Sequence, residues 1–230
     1  MTTDDQLREI QERCRGRVDT TPLPAKLSTS ASTCKPAKRP PAITESPPLP
    51  RWDNHDLPER YSWTLDDYPT VAAVMRAFLD APEPWSLYLH GQVGTRKTSL
   101  ACAIVRDFRT RFQPPCDGVL AAYFVTMEVA AQLMRTMSNA EWFYDYCRKT
   151  RLLVLDDIGS ARATDHIIER LLFILTDRYD RVAKTIITAN LKLADLADAT
   201  DPRIADRLRE GQVFHCGAES KRESWDKGVS

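Results

Sequence analysis

Residues 91–100 read GQVGTRKTSL, from Gly91 to Leu100, and the fold turns on whether this stretch is a phosphate-binding loop. The pattern G-x-x-x-x-G-K-[ST] fits at Gly91, Lys97 and Thr98, and departs only at Arg96, where it asks for glycine. The flanks fit as well. WSLYLH (85–90) reads as a short strand, and Thr98–Phe112 reads as a helix with Leu100, Ile104, Phe108 and Phe112 four apart on one apolar face. A strand that turns through glycines into a helix aims backbone N–H groups and the positive end of the helix dipole at one point. That makes Gly91, Gln92, Val93, Gly94, Thr95, Arg96, Lys97, Thr98 and Ser99 a candidate nucleotide-binding set. Lys97 suits the β and γ phosphates, and the Thr98 hydroxyl suits Mg²⁺.

Three features downstream support this reading. RLLVLDD (151–157) is a nearly all-apolar run that ends in two acids, as expected of a buried parallel strand delivering carboxylates to the ligand crevice of an open α/β sheet. Asp156 is the candidate Mg²⁺ ligand, and Asp157 the candidate group that polarises an attacking water. KTIITAN (184–190) is a second buried strand, ending in Asn190, whose amide suits the γ-phosphate or the water and equally suits a helix N-cap over 191–196. In DPRIADRLREGQ, Arg203 and Arg207 lie four apart, hence on one helix face. Such an arginine can neutralise charge at a neighbouring subunit's γ-phosphate or simply form ion pairs on the surface.

Around these motifs strands and helices alternate. Further helices are expected with apolar positions at 71, 74, 75 and 78, and over 127–137, 140–149, 167–181, 192–198 and 201–209. Further strands are expected over 119–126 and 212–216. The alternation predicts an α/β domain with a parallel sheet flanked by helices on both faces. Residues 1–50 differ: after a short polar helix over 4–13 comes a segment rich in Pro, Ser, Thr and Ala, read as a flexible N-terminal extension and a candidate partner-docking piece.

The 230 residues carry 32 basic and 32 acidic side chains, so net charge offers no case for nucleic acid. No apolar run nears the roughly 20 residues that span a bilayer, and the N-terminus lacks a secretory signal, so a cytoplasmic protein with no membrane partner is expected. The six cysteines are scattered without a C-x-x-C pair, which favours reduced thiols over a zinc site.

In order and wording, the motifs resemble the AAA+ ATPases of the DnaC/IstB-like group, the bacterial and phage replicative helicase loaders and the transposase helper ATPases. The matching pieces are LPERYSWTLDDYP, LHGQVGTRKTSLACAI, LLVLDDIG, TIITANLKLADLA and PRIADRLREGQVFHCGAESKR. The resemblance implies a P-loop NTPase (AAA+) domain over 51–222, with little or no C-terminal lid and a tail over 223–230. It implies ATP and Mg²⁺ as cofactors, Lys97 and Thr98 as Walker A, Asp156 and Asp157 as Walker B, and Asn190 as sensor 1. It also implies Arg207 as an arginine finger acting in trans through self-association, and Arg222 as a late nucleotide sensor. Implied partners are a replicative helicase and single-stranded DNA. The alternatives are a transposase helper ATPase on duplex DNA and a non-hydrolysing helicase adaptor. Glycine normally stands at position 96 because a Cβ would crowd the phosphates and because it takes φ > 0 cheaply. Arginine there predicts weakened ATP binding and slow or absent hydrolysis relative to a glycine version, by a strain of about 1–3 kcal/mol.

Overall fold

The computed structural model describes residues 57–112, 119–135, 137–159 and 164–217. Residues 1–50, the tail over 223–230, and Arg222, Cys14, Cys34 and Cys116 lie outside the described residues. A 3₁₀ turn (Leu65–Asp67) leads into α1 (Pro69–Asp80). Then follow β1 (Ser86–His90), α2 (Lys97–Arg111), β2 (Ala122–Thr126), α3 (Met127–Met134) and α4 (Met137–Lys149). The second half holds β3 (Leu152–Ile158), α5 (Asp165–Asp180), β4 (Thr185–Ala189), α6 (Leu193–Ala199), α7 (Pro202–Arg209) and β5 (Gln212–His215).

The five strands form one sheet in the order β2-β3-β4-β1-β5, every pair parallel. The acid-bearing strand β3 therefore does not neighbour the loop-bearing strand β1; β4 lies between them. Side chains alternate across the sheet as the two-residue strand period demands. Leu87 and Leu89 of β1, with Leu152 and Val154 of β3, join α1 and α2 in one buried cluster. Tyr88, Leu153 and Leu155 join α3 to α7 in a second cluster on the opposite face. Both faces are covered, which is why these strands read as continuous apolar runs.

Helix α2 is more enclosed than its four-residue apolar period suggests. Ala101, Cys102, Ala103 and Val105 are buried along with Leu100, Ile104 and Phe108. The small residues let the helix settle between the sheet and the lead-in, where the Arg106 guanidinium donates to the carbonyls of Tyr61 and Trp63. The α3 and α4 boundaries also shift: α3 stops at Met134 and α4 starts at Met137.

On the other face, Arg178 of α5 is fully buried, and among the described residues no carboxylate hydrogen-bonds to it. Its guanidinium donates to the carbonyls of Cys147, Thr150, Arg151 and Lys184 and to the Thr185 hydroxyl. It thereby ties the end of α4 to the entrances of β3 and β4, and burial draws its pKa down to about 10. Among the described residues no helix is long and apolar enough to cross a membrane.

Candidate functional site

The C-terminal ends of β1, β3 and β4 open onto a cavity of about 860 Å³. Its lining includes Gly94, Arg96, Lys97, Thr98 and Ser99 from the loop and α2, Asp156 and Asp157 from β3, and Asn190 after β4. The lead-in closes one side with Arg60, Tyr61 and Trp63. Most of the residues singled out in the sequence therefore converge on one space. Gly91, Gln92 and Thr95 sit behind it in the loop, and Arg207 lies elsewhere.

The loop has a definite internal logic. A Cβ on Gly91 would stand 2.5 Å from the Cys216 carbonyl oxygen, so glycine there serves the seam between β1 and β5. Gly94 takes φ 91°, a region glycine occupies cheaply. Lys97 is only 7% exposed. Its Nζ donates to the carbonyls of Gly91 (2.9 Å) and Gln92 (2.8 Å), so the loop's own carbonyls hold the ammonium. Arg96 takes φ 62°, ψ 23°, the left-handed conformation, just before the first turn of α2. Its guanidinium lies over the Trp63 ring, 4.4 Å from the centroid.

The left-handed φ carries the backbone strain that arginine brings where glycine is the usual residue, about 1–3 kcal/mol.

Beneath the loop sits a hydrogen-bonded acid. Asp156 is 4% exposed. It accepts from the Thr98 hydroxyl (3.0 Å to Oδ1, 3.2 Å to Oδ2) and from the Thr188 hydroxyl (2.7 Å to Oδ1). Burial raises its pKa above the usual carboxylate value, while the two threonine hydrogen bonds hold it down. Thr98 and Asp156 bring hard oxygen donors together at the cavity floor, the donor chemistry Mg²⁺ takes.

Consecutive residues on a regular strand face opposite ways. Here the β3–β4 register shifts between Leu155 and Ile158, a bulge, and Asp157 takes φ 62°. The bulge re-aims the second acid, so Asp156 and Asp157 both line the same cavity. The Asn190 amide donates to Asp157 Oδ1 at 3.0 Å. Asn190 is not a helix cap; α6 starts two residues later than that role requires, with Lys192 as its N-cap.

Thr188 bridges the two acids. Besides its bond to Asp156, its hydroxyl accepts from the Asp157 backbone N–H at 2.9 Å. Sequence reasoning passed over it, although it lies two residues before Asn190. Trp63 was passed over as well; it lay inside a recognised lead-in, with no motif to mark it.

The arginine helix α7 faces away. Arg203 pairs with Asp201 (2.8 Å), so the ion-pair reading holds for it. Arg207 donates to the Arg203 carbonyl, lies over the Tyr179 ring (5.8 Å) and keeps a buried Nε without a hydrogen-bond partner.

No family model matches the chain. An uncharacterized protein of Bacillus subtilis (strain 168), YqaM, is 28% identical over 130 residues, 54% of this chain and 40% of that one. The chain thus spans well under two thirds of that curated relative. The crystal structure of the DnaC helicase loader matches with a TM-score of 0.59 at 26% identity, over 70% of this chain and all of that one (100%). The DnaI crystal structure matches at 0.56 and 22% identity, over 70% and 92% of the two chains. AMPPCP-bound DnaA from Aquifex aeolicus matches at 0.60 and 19%, over 72% of this chain and 52% of that one. The likeness to DnaI and DnaA, at those identities, is one of fold. With its parallel five-stranded sheet flanked by helices, the chain has a DnaC-like AAA+ fold.

Proposed function

We propose that this chain is a replication-associated AAA+ ATPase that binds MgATP and delivers or remodels a replicative DNA helicase on single-stranded DNA. The observation that carries the reading is the gathering of Thr98, Asp156, Thr188, Asp157 and Asn190 around one cavity at the sheet's C-terminal edge. The fold shared with the DnaC helicase loader supports the replication setting.

In this reading Lys97 leaves the carbonyls of Gly91 and Gln92 and meets the β and γ phosphates, while the loop amides cradle them. Thr98 and Asp156 would hold Mg²⁺, which would supply charge neutralisation for the phosphates. Asp157 accepts the hydrogen bond of the attacking water and takes its proton as the water oxygen bonds to the γ-phosphorus and the bond from that phosphorus to the β–γ bridging oxygen breaks, releasing ADP and phosphate. Asn190 fixes the Asp157 carboxylate. Thr188 holds both acids at their spacing. Arg207 is turned from its own cavity toward Tyr179, which suits a finger that completes a neighbouring subunit's site. The ATPase domain occupies 51–222, with Arg222 as a late nucleotide contact. Residues 1–50 dock the partner and 223–230 form a tail.

A second reading is favoured by one observation: with Lys97 satisfied by its own loop and arginine at 96, the protein binds nucleotide without turning it over and acts as a helicase adaptor. A transposase helper ATPase shares every one of these motifs and would co-purify with a transposase. The deciding experiment purifies the full chain with and without MgATP. It measures phosphate release with single-stranded DNA, the nucleotide-dependent change in mass, and the identity of a co-purifying helicase. Turnover above background excludes the adaptor. Absence of nucleotide binding overturns both readings.

A further inference from the structure

We propose that Arg96 and Trp63 form a two-position phosphate latch, in which the Arg96 guanidinium rests on the Trp63 ring and transfers to the β and γ phosphates when a nucleoside triphosphate enters. The proposal rests on the nucleotide-binding reading of this cavity and assigns two residues of this chain a role in selecting the triphosphate.

Four observations converge. Arg96 lines the cavity, and among the described residues no carboxylate pairs with it; its guanidinium lies over the Trp63 ring at 4.4 Å. Lys97, the loop's other cation, is 7% exposed and bonded to its own loop. An arriving polyphosphate therefore meets Arg96 before Lys97. The Trp63 backbone is anchored, because the Arg106 guanidinium donates to its carbonyl at 3.0 Å. Finally, the left-handed turn at Arg96 is already formed, so the transfer needs only side-chain rotation.

The contest between the two positions favours phosphate. A half-exposed cation–π contact is weak, whereas a guanidinium binds phosphate through charge-assisted, often bidentate hydrogen bonds. Trp63 acts as a positioning residue: it keeps the cation off the phosphate seat until a ligand competes for it, and it senses the departure. The preference falls on triphosphate over monophosphate, because a guanidinium gains from each additional phosphate charge within its reach.

The test uses the full chain with ATP and AMP, each with Mg²⁺, by calorimetry and by tryptophan fluorescence. In the wild type, ATP changes the fluorescence and AMP changes it less; Trp63→Leu abolishes the difference. Trp63→Leu raises the ratio of ATP to AMP affinity about two- to fivefold, since no cation–π contact has to be given up. Arg96→Gly and Arg96→Gln both lower that ratio, by roughly five- to thirtyfold. The pair covers the case in which glycine disturbs the loop, because glutamine keeps a long stem at the same φ. The ratio is insensitive to a role of Trp63 in holding the base, which ATP and AMP share. If the wild type binds ATP and the ratio is the same in both Arg96 variants, the latch is overturned and the nucleotide site stands. If the wild type binds neither nucleotide, the site reading falls and the latch with it.

Discussion

Thr188 offers the sharpest perturbation. Its hydroxyl makes two bonds at once, donating to Asp156 Oδ1 (2.7 Å) and accepting from the Asp157 N–H (2.9 Å). Valine has nearly the same shape and lacks both. A hydrogen bond to a charged group nets about 1.5–3 kcal/mol and a neutral one about 0.5–1.5 kcal/mol, so Thr188→Val is expected to cost about 2–4 kcal/mol. Water offers little relief, because Thr188 is 1% exposed. For a domain of this size the loss corresponds to a fall in melting temperature of roughly 5–15 °C. A second signature comes from the carboxyl. The Thr188 bond lowers the Asp156 pKa against the raising effect of burial. Without it the carboxyl protonates at higher pH, and a protonated Asp156 does not ligate Mg²⁺. The acid limb of Mg²⁺-dependent ATP binding therefore shifts upward in Thr188→Val and stays in place in Thr188→Ser. Calorimetry at several pH values, beside thermal melts, measures both. A valine variant that melts within about 1 °C of the wild type with an unmoved acid limb would refute the bridging role.

The other predictions concern the acid, the buried arginine, a strained turn and the thiols. Asp156 has a raised pKa in the folded state, so its ionisation costs stability: the contribution is most favourable below the ordinary carboxylate pKa and is lost as pH rises through the folded value. Asp156→Asn should therefore melt higher at neutral pH, by on the order of 1 kcal/mol, while losing Mg²⁺-dependent ATP binding. Arg178→Met strands several buried carbonyls and should destabilise by about 3–5 kcal/mol in urea melts; Arg178→Lys, with three donors instead of five, should recover only part of that. Val182, a β-branched residue at φ 51° after α5, is a strained position. Val182→Gly should gain about 0.5–1 kcal/mol, and an unchanged or lowered denaturation midpoint would count against that strain. Burial pushes the Cys147 and Cys216 thiols up to about 12, so peptide mapping should find neither alkylated by iodoacetamide until denaturant is added.

Legibility from sequence followed the length scale of each interaction. The strands and helices were readable because burial on both sheet faces turns β3 and β4 into unbroken apolar runs. The acids, Asn190 and the loop were readable because each is a short motif at the end of such a run. The strand order was not, since alternating elements define handed crossovers and leave open which strand lies beside β1. Arg178 looked like any polar position on an amphipathic helix, because its partners are carbonyls from 27 to 31 residues earlier, the Lys184 carbonyl and the Thr185 hydroxyl of the next strand. Thr188 carried a recoverable signal: it lies two residues before Asn190, and the two-residue strand period that sets it opposite Ile187 turns it toward the side of the acids. Trp63 carried none, because its partner, Arg96, is itself the departure from the motif.

The bulge in β3 has a consequence for which acid can stand at position 157. A residue held at φ 62° sits where aspartate and asparagine are far more at home than longer side chains, because a short polar side chain can bond locally to its own backbone. Glutamate would bring strain at the backbone and carry its carboxyl one methylene beyond the Asn190 amide. The strand thus works as a ruler: by kinking after Asp156 it already supplies the reach that a longer acid would give on a straight strand, and the second carboxylate can be short. Asp157→Glu on this backbone overshoots the Asn190 amide.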